Sequence, residues 1–168
     1  MFQRVGLAAA MALLLMACSR HIAPPNPVEG ATEASRVVLH FTAADGLNPG
    51  GSGQPTPVRV RLFELKNAAS FNRADYFALA ERAQDSLGSD LVDQDEVLLQ
   101  PGQHLTVERT LDAATRRVGL VVGYRELDQA LWRAVLDVPP RMSHEFDIAL
   151  DTLAVRTALS APSIHSAH

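Results

Sequence analysis

The sequence predicts a mostly β fold, a two-sheet sandwich with one inserted helix, and three observations predict it. From Arg36 onward apolar residues alternate with polar ones in seven or so short runs, the period of half-buried strands. Turns separate these runs at the close spacing typical of sandwich strands. A single stretch, about residues 73–87, instead repeats its apolar residues at helical spacing.

The first strand is read from Val37, Leu39 and Phe41, which alternate with Arg36, Val38, His40 and Thr42. Residues 45–57 follow, rich in Gly and Pro and without alternation, so they form a long loop. Val58, Val60 and Leu62 then share one face of a strand, with Arg59 and Arg61 opposite. At Phe63 and Leu65 the apolar residues change face, which predicts a bulge or a second buried surface. The helix carries Tyr76, Leu79, Ala80, Ala83 and Leu87 in one stripe, with Asn72 and Asp75 to cap its start and Gly88 to stop it. Its stripe is expected to cover the extra apolar face near Phe63.

Val97 and Leu99 lead into a Pro101-Gly102 turn, and Leu105, Val107 and Leu111 form a strand with one wet face. Residues 118–124 are apolar on both faces, as a central strand requires. Trp132, Ala134, Leu136 and Val138 face inward until Pro139-Pro140 stops that strand. Phe146, Ile148 and Leu150 make the last one, with Leu153 and Val155 expected to extend it. The domain is therefore placed at residues 36–158, with 159–168 a loose, small and polar tail.

Residues 1–17 have the layout of an export signal. Arg4 supplies the positive start, and an apolar run of about thirteen residues, too short for the ~20 that cross a bilayer, ends in small residues. Leu15-Met16-Ala17-Cys18 resembles a bacterial lipobox, with Met16 larger than usual before the alanine. Cysteine suits that position because its thiolate can attack a diacylglyceryl donor. Cleavage before it then frees an amine for a further acyl chain, and two or more chains give stable anchoring. Cys18 is the only cysteine of the 168 residues, so no intrachain disulfide can form. Ser19 follows it rather than the aspartate that retains many such proteins in the inner membrane, which points to the outer membrane, facing the periplasm. Residues 18–35 hold Pro24, Pro25 and Pro27 in polar surroundings and read as an extended tether.

The search for chemistry returns little. A net charge of −4 and the lack of a basic stripe give no reason to bind nucleic acid. None of the six histidines stands at the i,i+4 spacing that places two imidazoles together on a metal, and His165 and His168 fall in the loose tail. Gly50-Gly51-Ser52-Gly53-Gln54 lacks both the last glycine of a nucleophile elbow and the lysine of a phosphate loop. Asp90, Asp93, Asp95 and Glu96 lack calcium-loop spacing and read as a solvated acidic edge. No catalytic residue, metal site or small-molecule substrate is predicted, and no cofactor beyond the covalent lipid on Cys18.

Several segments together resemble a known family. Leu47-Asn48-Pro49, the run Gly53-Gln54-Pro55-Thr56-Pro57-Val58-Arg59-Val60-Arg61-Leu62-Phe63-Glu64-Leu65, Phe71, Ala74-Asp75-Tyr76 and the Pro101-Gly102 turn come first. Val118-Gly119-Leu120-Val121-Val122-Gly123-Tyr124-Arg125 and Trp132-Arg133 follow in the same order. In order and spacing they are similar to the type VI secretion lipoproteins (TssJ, also called SciN or VasD). The resemblance implies a transthyretin-like sandwich, lipid-anchored to the outer membrane. It also implies docking on the periplasmic C-terminal region of TssM within the TssJLM membrane complex. The family's docking loop maps to residues 45–57, where Leu47, Asn48, Pro49, Gln54 and Pro55 are the candidate partner-binding residues. The plainer reading of that loop is a mobile connector, because Gly50, Gly51 and Gly53 cost order. Two other functions stand beside this one: a different lipoprotein interaction role, such as a pilot or assembly factor, and a transthyretin-like hydrolase. The hydrolase would need a His/Arg pocket and a C-terminal Tyr-Arg-Gly-Ser, whereas this chain ends Ile164-His165-Ser166-Ala167-His168.

Overall fold

A computed structural model describes residues 34–160. The expected signal at 1–17, Cys18, nearly all of the tether and most of the tail lie outside them. Eight strands form two four-stranded sheets: β1 (Arg36–Ala43), β2 (Val58–Leu65), β3 (Leu91–Leu99), β4 (His104–Thr110), β5 (Arg117–Val122), β6 (Arg133–Asp137), β7 (Ser143–Leu150) and β8 (Val155–Leu159). One sheet has the order β4-β1-β7-β8 and the other β3-β2-β5-β6. Only β1 and β7 run parallel among the paired strands; the remaining ladders are antiparallel. This is the transthyretin-like sandwich of the expectation.

Alternation in the sequence becomes burial. Val37, Leu39 and Phe41 of β1 meet Val58, Val60 and Leu62 of β2 in one core, with Leu120 and Val122 of β5 and Ile148 and Leu150 of β7. Past Leu62 the apolar residues of β2 do change face. Phe63 and Leu65 join Val121, Phe71, Leu79, Ala83 and Leu87 in a second core on the outer side of that sheet. A register shift at Glu64/Leu65 accompanies the change. Gly119 makes room for this layer: a Cβ there would lie 2.7 Å from the Phe71 ring.

The predicted single helix is in fact three short ones, α1 (Ala69–Arg73), α2 (Tyr76–Glu81) and α3 (Ala83–Leu87). The breaks have local causes. Asp75 is extended, and its carboxylate accepts from the Ala78 N–H at 2.8 Å, so it restarts the helix instead of continuing it. Arg82, at φ −136 and ψ 41, interrupts the next turn, where Ser86 Oγ donates to the Ala78 carbonyl at 3.1 Å. The kinked path lays the stripe over Phe63 and Leu65, and Gly88, at φ +52, ends it.

Two further expectations are corrected in part. The solvated acidic edge holds, with Asp93, Asp95 and Glu96 exposed, but these residues belong to edge strand β3 itself, which begins at Leu91. Charges replace apolar alternation there because β3 is an edge strand whose partners are cations. Arg109 of β4, in the other sheet, reaches Asp95 at 2.5 Å and Asp93 at 3.1 Å, with Glu64 at 3.7 Å. That cluster clips the two sheets together along one side. Glu64 is buried, and its carboxylate also accepts from Thr115 Oγ1 at 2.8 Å and the Asp112 N–H at 3.1 Å. At the other correction, Leu153 and Val155 do not extend β7: the chain turns after Leu150 and returns as β8, antiparallel to it.

The sandwich has two poles. Residues 44–57, 100–103, 123–132 and 151–154 gather at one, joined by Gly102 N–H to Ala44 carbonyl (3.2 Å) and Asn48 N–H to Thr152 carbonyl (2.9 Å). The opposite pole receives the chain from its N-terminal side. There Ser35 donates to the Pro139 carbonyl at 3.1 Å and accepts from the Leu111 N–H at 2.8 Å. Strands of eight residues, such as β1, separate the poles by roughly 25 Å.

Candidate docking loop

The loop after β1 is built as a closed clasp with an open tip. Its entry turns at Ala44, whose carbonyl accepts from the Leu47 N–H at 3.1 Å. Leu47 then drops its side chain fully into the main core. Asn48 follows at φ +48, a left-handed conformation that asparagine tolerates better than most side chains. Its carboxamide nitrogen donates to Thr56 Oγ1 at 2.9 Å and to the Pro57 carbonyl at 3.1 Å. Its oxygen accepts from the Arg125 N–H at 2.8 Å. Thr56 closes the ring, donating from Oγ1 to the Asn48 carbonyl at 2.6 Å and from its N–H to the Leu47 carbonyl at 3.0 Å.

Beyond the clasp the chain makes a tight turn. Gly50 N–H donates to the Gln54 carbonyl and Gly53 N–H to the Gly50 carbonyl, both at 2.8 Å, and Gly53 takes φ +77. Residues 51–55 are exposed. Gly53 therefore shapes the tip rather than merely loosening it, because its positive φ would strain a larger side chain.

This geometry divides the five candidate residues. Gln54 and Pro55 are exposed on the tip and Pro49 is half-buried at its base. Leu47 and Asn48 are buried, so they hold the loop and do not offer their side chains to a partner. The resemblance marked both as binding residues because a motif reports that a position matters, not which way it points. Thr56 completes the clasp and was passed over, although a hydroxyl between Pro55 and Pro57 is a visible signal for a loop-closing bond. Leu131, 64% exposed at the same pole, was also missed as a surface residue.

Tyr124 supports the pole from below. It is buried and donates from its hydroxyl to the Asp151 carbonyl at 3.2 Å. Burial, and then the Asp151 charge, hold its phenol well above the ordinary tyrosine range. It stays protonated and serves as a donor. Among the described residues no group of three or more His, Cys, Asp or Glu is placed to hold a metal. Nor, among the described residues, is any helix long and apolar enough to cross a membrane.

The fold defines the class: a mostly β protein of two four-stranded sheets with a hydrogen-bonded loop closing one pole. The type VI secretion lipoprotein family (VasD, EvfM, TssJ, VC_A0113) matches residues 35–153, and the chain belongs to that family. It is 50% identical to the type VI lipoprotein TssJ1 of Pseudomonas aeruginosa, with a TM-score of 0.74 over 76% of this chain and 98% of that one. Lip of Serratia marcescens, a membrane-bound component of the type VI secretion system, is 29% identical at a TM-score of 0.70, over 76% and 99%. A chain in a structure described as the TssM C-terminal domain (869–1107) from EAEC is 29% identical at 0.58, over 75% and 98%. No curated protein sequence matches the chain.

Proposed function

We propose that this chain anchors the periplasmic C-terminal region of TssM to the outer membrane, as the lipoprotein of a type VI secretion membrane complex. Acyl chains on Cys18 hold it in the periplasm-facing leaflet, and the tip at residues 50–55, at the pole that also exposes Leu131, grips the partner. The observation that carries this reading is the opposition of the two poles. Ser35 enters at one end of the sandwich and the tip leaves at the other, so a partner reaches the tip without meeting the bilayer. The relative described as a membrane-bound component supports the anchor, and the structure described by TssM supports the partner. A clasp formed before binding lowers the ordering cost of recognition.

Cys18→Ala in the intact chain tests the anchor. The variant is expected to leave the outer-membrane fraction and to stop secretion, while the folded domain still captures the TssM region in solution. Retention in the outer membrane would overturn the assignment of the anchor to Cys18.

A further inference from the structure

We infer that the outer face of the β3-β2-β5-β6 sheet holds a second partner contact: a trench floored by Arg59 and Arg61 that binds an extended acidic segment of the protein gripped by the tip. This rests on the docking proposed for residues 50–55 and adds the chemistry of what is recognised beside them.

The helices cover only part of that face. They pack on Phe63, Leu65 and Val121, whereas Arg59 and Arg61, on the same side of β2 by alternation, lie open between the helices and edge strand β3. A cavity of about 290 Å³ lies there, lined by both arginines with Pro57, Tyr76, Leu98 and Gly123. A second, of about 270 Å³, continues from Arg61 to Phe63, Gln94 and Glu96. End to end they follow residues 57–63, roughly 20 Å of extended chain.

The floor carries unused donors. Neither Arg59 nor Arg61 makes a hydrogen bond among the described residues. Glu96 pairs with both, at 3.6 and 3.9 Å, beyond hydrogen-bond length. Arg109 and Arg133, by contrast, bond within the fold, to Asp93 and Asp95 and to the Phe71 and Ala74 carbonyls. The Tyr76 hydroxyl also has no hydrogen-bond partner among the described residues, and it stands 3.1 Å from where a Cβ on Gly123 would lie. Glycine keeps that floor open.

Two guanidinium groups sharing one carboxylate leave this end of the trench positive, and their forked donors suit a second carboxylate. The neighbouring acids are placed elsewhere. Asp75 caps α2, Asp95 is held by Arg109, and Glu81 and Asp85 stand with Arg82 beside Gln94, at the end away from the loop pole. Exposed Pro57 and Leu98, the latter 57% exposed, offer an apolar wall to an aliphatic neighbour of the bound acid. The trench also begins where the docking loop ends. Pro57 lines it while its carbonyl accepts from Asn48 of the clasp, and Gly123 donates to the Arg59 carbonyl at 2.8 Å. A chain bound at the tip thus reaches the arginines directly.

The test titrates the full chain, in detergent, against the purified periplasmic C-terminal region of TssM at low and high salt. Arg59→Gln with Arg61→Gln is expected to weaken binding about tenfold at low salt and to flatten its salt dependence. Glu96→Gln, which frees both guanidinium groups, is expected to tighten binding severalfold. Weakening by Glu96→Gln in step with the arginine variant would make the pairing merely structural and overturn the proposal. Parent-like affinity and salt dependence in the arginine variant would overturn the trench contact and leave docking at the tip standing. No binding by the parent chain would remove the docking and the trench together. Self-association of the parent that the arginine variant abolishes would assign the trench to the acidic run of a second copy and overturn the proposal.

Discussion

Asn48 reaches across 77 residues of sequence to the backbone of Arg125, accepting its N–H at 2.8 Å. One carboxamide thereby joins the β1–β2 loop to the loop that follows β5. Its other end holds Thr56 and Pro57, so the tip at 50–55 inherits the rigidity of the sandwich.

Asn48→Ala removes these bonds and leaves the Arg125 N–H without its partner. The expected loss of stability is about 1–3 kcal/mol. Hydrogen exchange should accelerate at residues 50–56 beyond what the global loss explains, and affinity for the TssM region should fall with it. Unchanged exchange at the tip would show that the clasp does not order it.

Leu47→Ala should cost about 2–5 kcal/mol, because a fully buried leucine leaves a cavity in the main core. Gln54→Ala, on the exposed tip, should change stability by no more than about 0.5 kcal/mol. Urea melts of the two variants separate the residue that holds the loop from the one that faces a partner. A large loss from Gln54→Ala would contradict that division.

Gly119→Ala sets a methyl 2.7 Å from the Phe71 ring, inside a layer that has no room for it. A loss of about 1–3 kcal/mol is expected. Phe71→Leu in the same chain should recover part of it if the clash is the cause, as a double-mutant cycle would read.

Tyr124 gives the fold an alkaline limit. Its phenol is held above the unfolded value of about 10. Above that pH the unfolded chain releases a proton that the folded chain retains, so stability falls as pH rises. Tyr124→Phe should lose about 0.5–1.5 kcal/mol at neutral pH, from the bond to the Asp151 carbonyl. It should also decline less steeply than the parent above pH ~10. Parallel slopes in denaturation series through that range would contradict the assignment.

Much of this architecture is legible in the sequence because burial follows period. The alternation in 36–42 and 58–62 became β1 and most of β2, and the change of face at Phe63 announced the second core. What failed was decided by partners far away in sequence. The acidic run 93–96 lies in a strand because Arg109 waits in the other sheet. The helical stripe breaks because Asp75 prefers to cap, a local bond that outweighs the period. At the docking loop, composition marked the segment correctly. The inward turn of Leu47 and Asn48 could not be read there, because it depends on Arg125 and Thr152, which only the fold brings near.

The central claim is that the tip, held by the clasp, binds the partner. Replacing residues 50–55 with a Gly-Ser segment of equal length, while keeping Leu47, Asn48 and Thr56, isolates it. Calorimetric titration against the purified periplasmic C-terminal region of TssM should show affinity falling at least about tenfold, close to 1.4 kcal/mol, with an unchanged melting temperature. Full affinity in that variant would contradict the account.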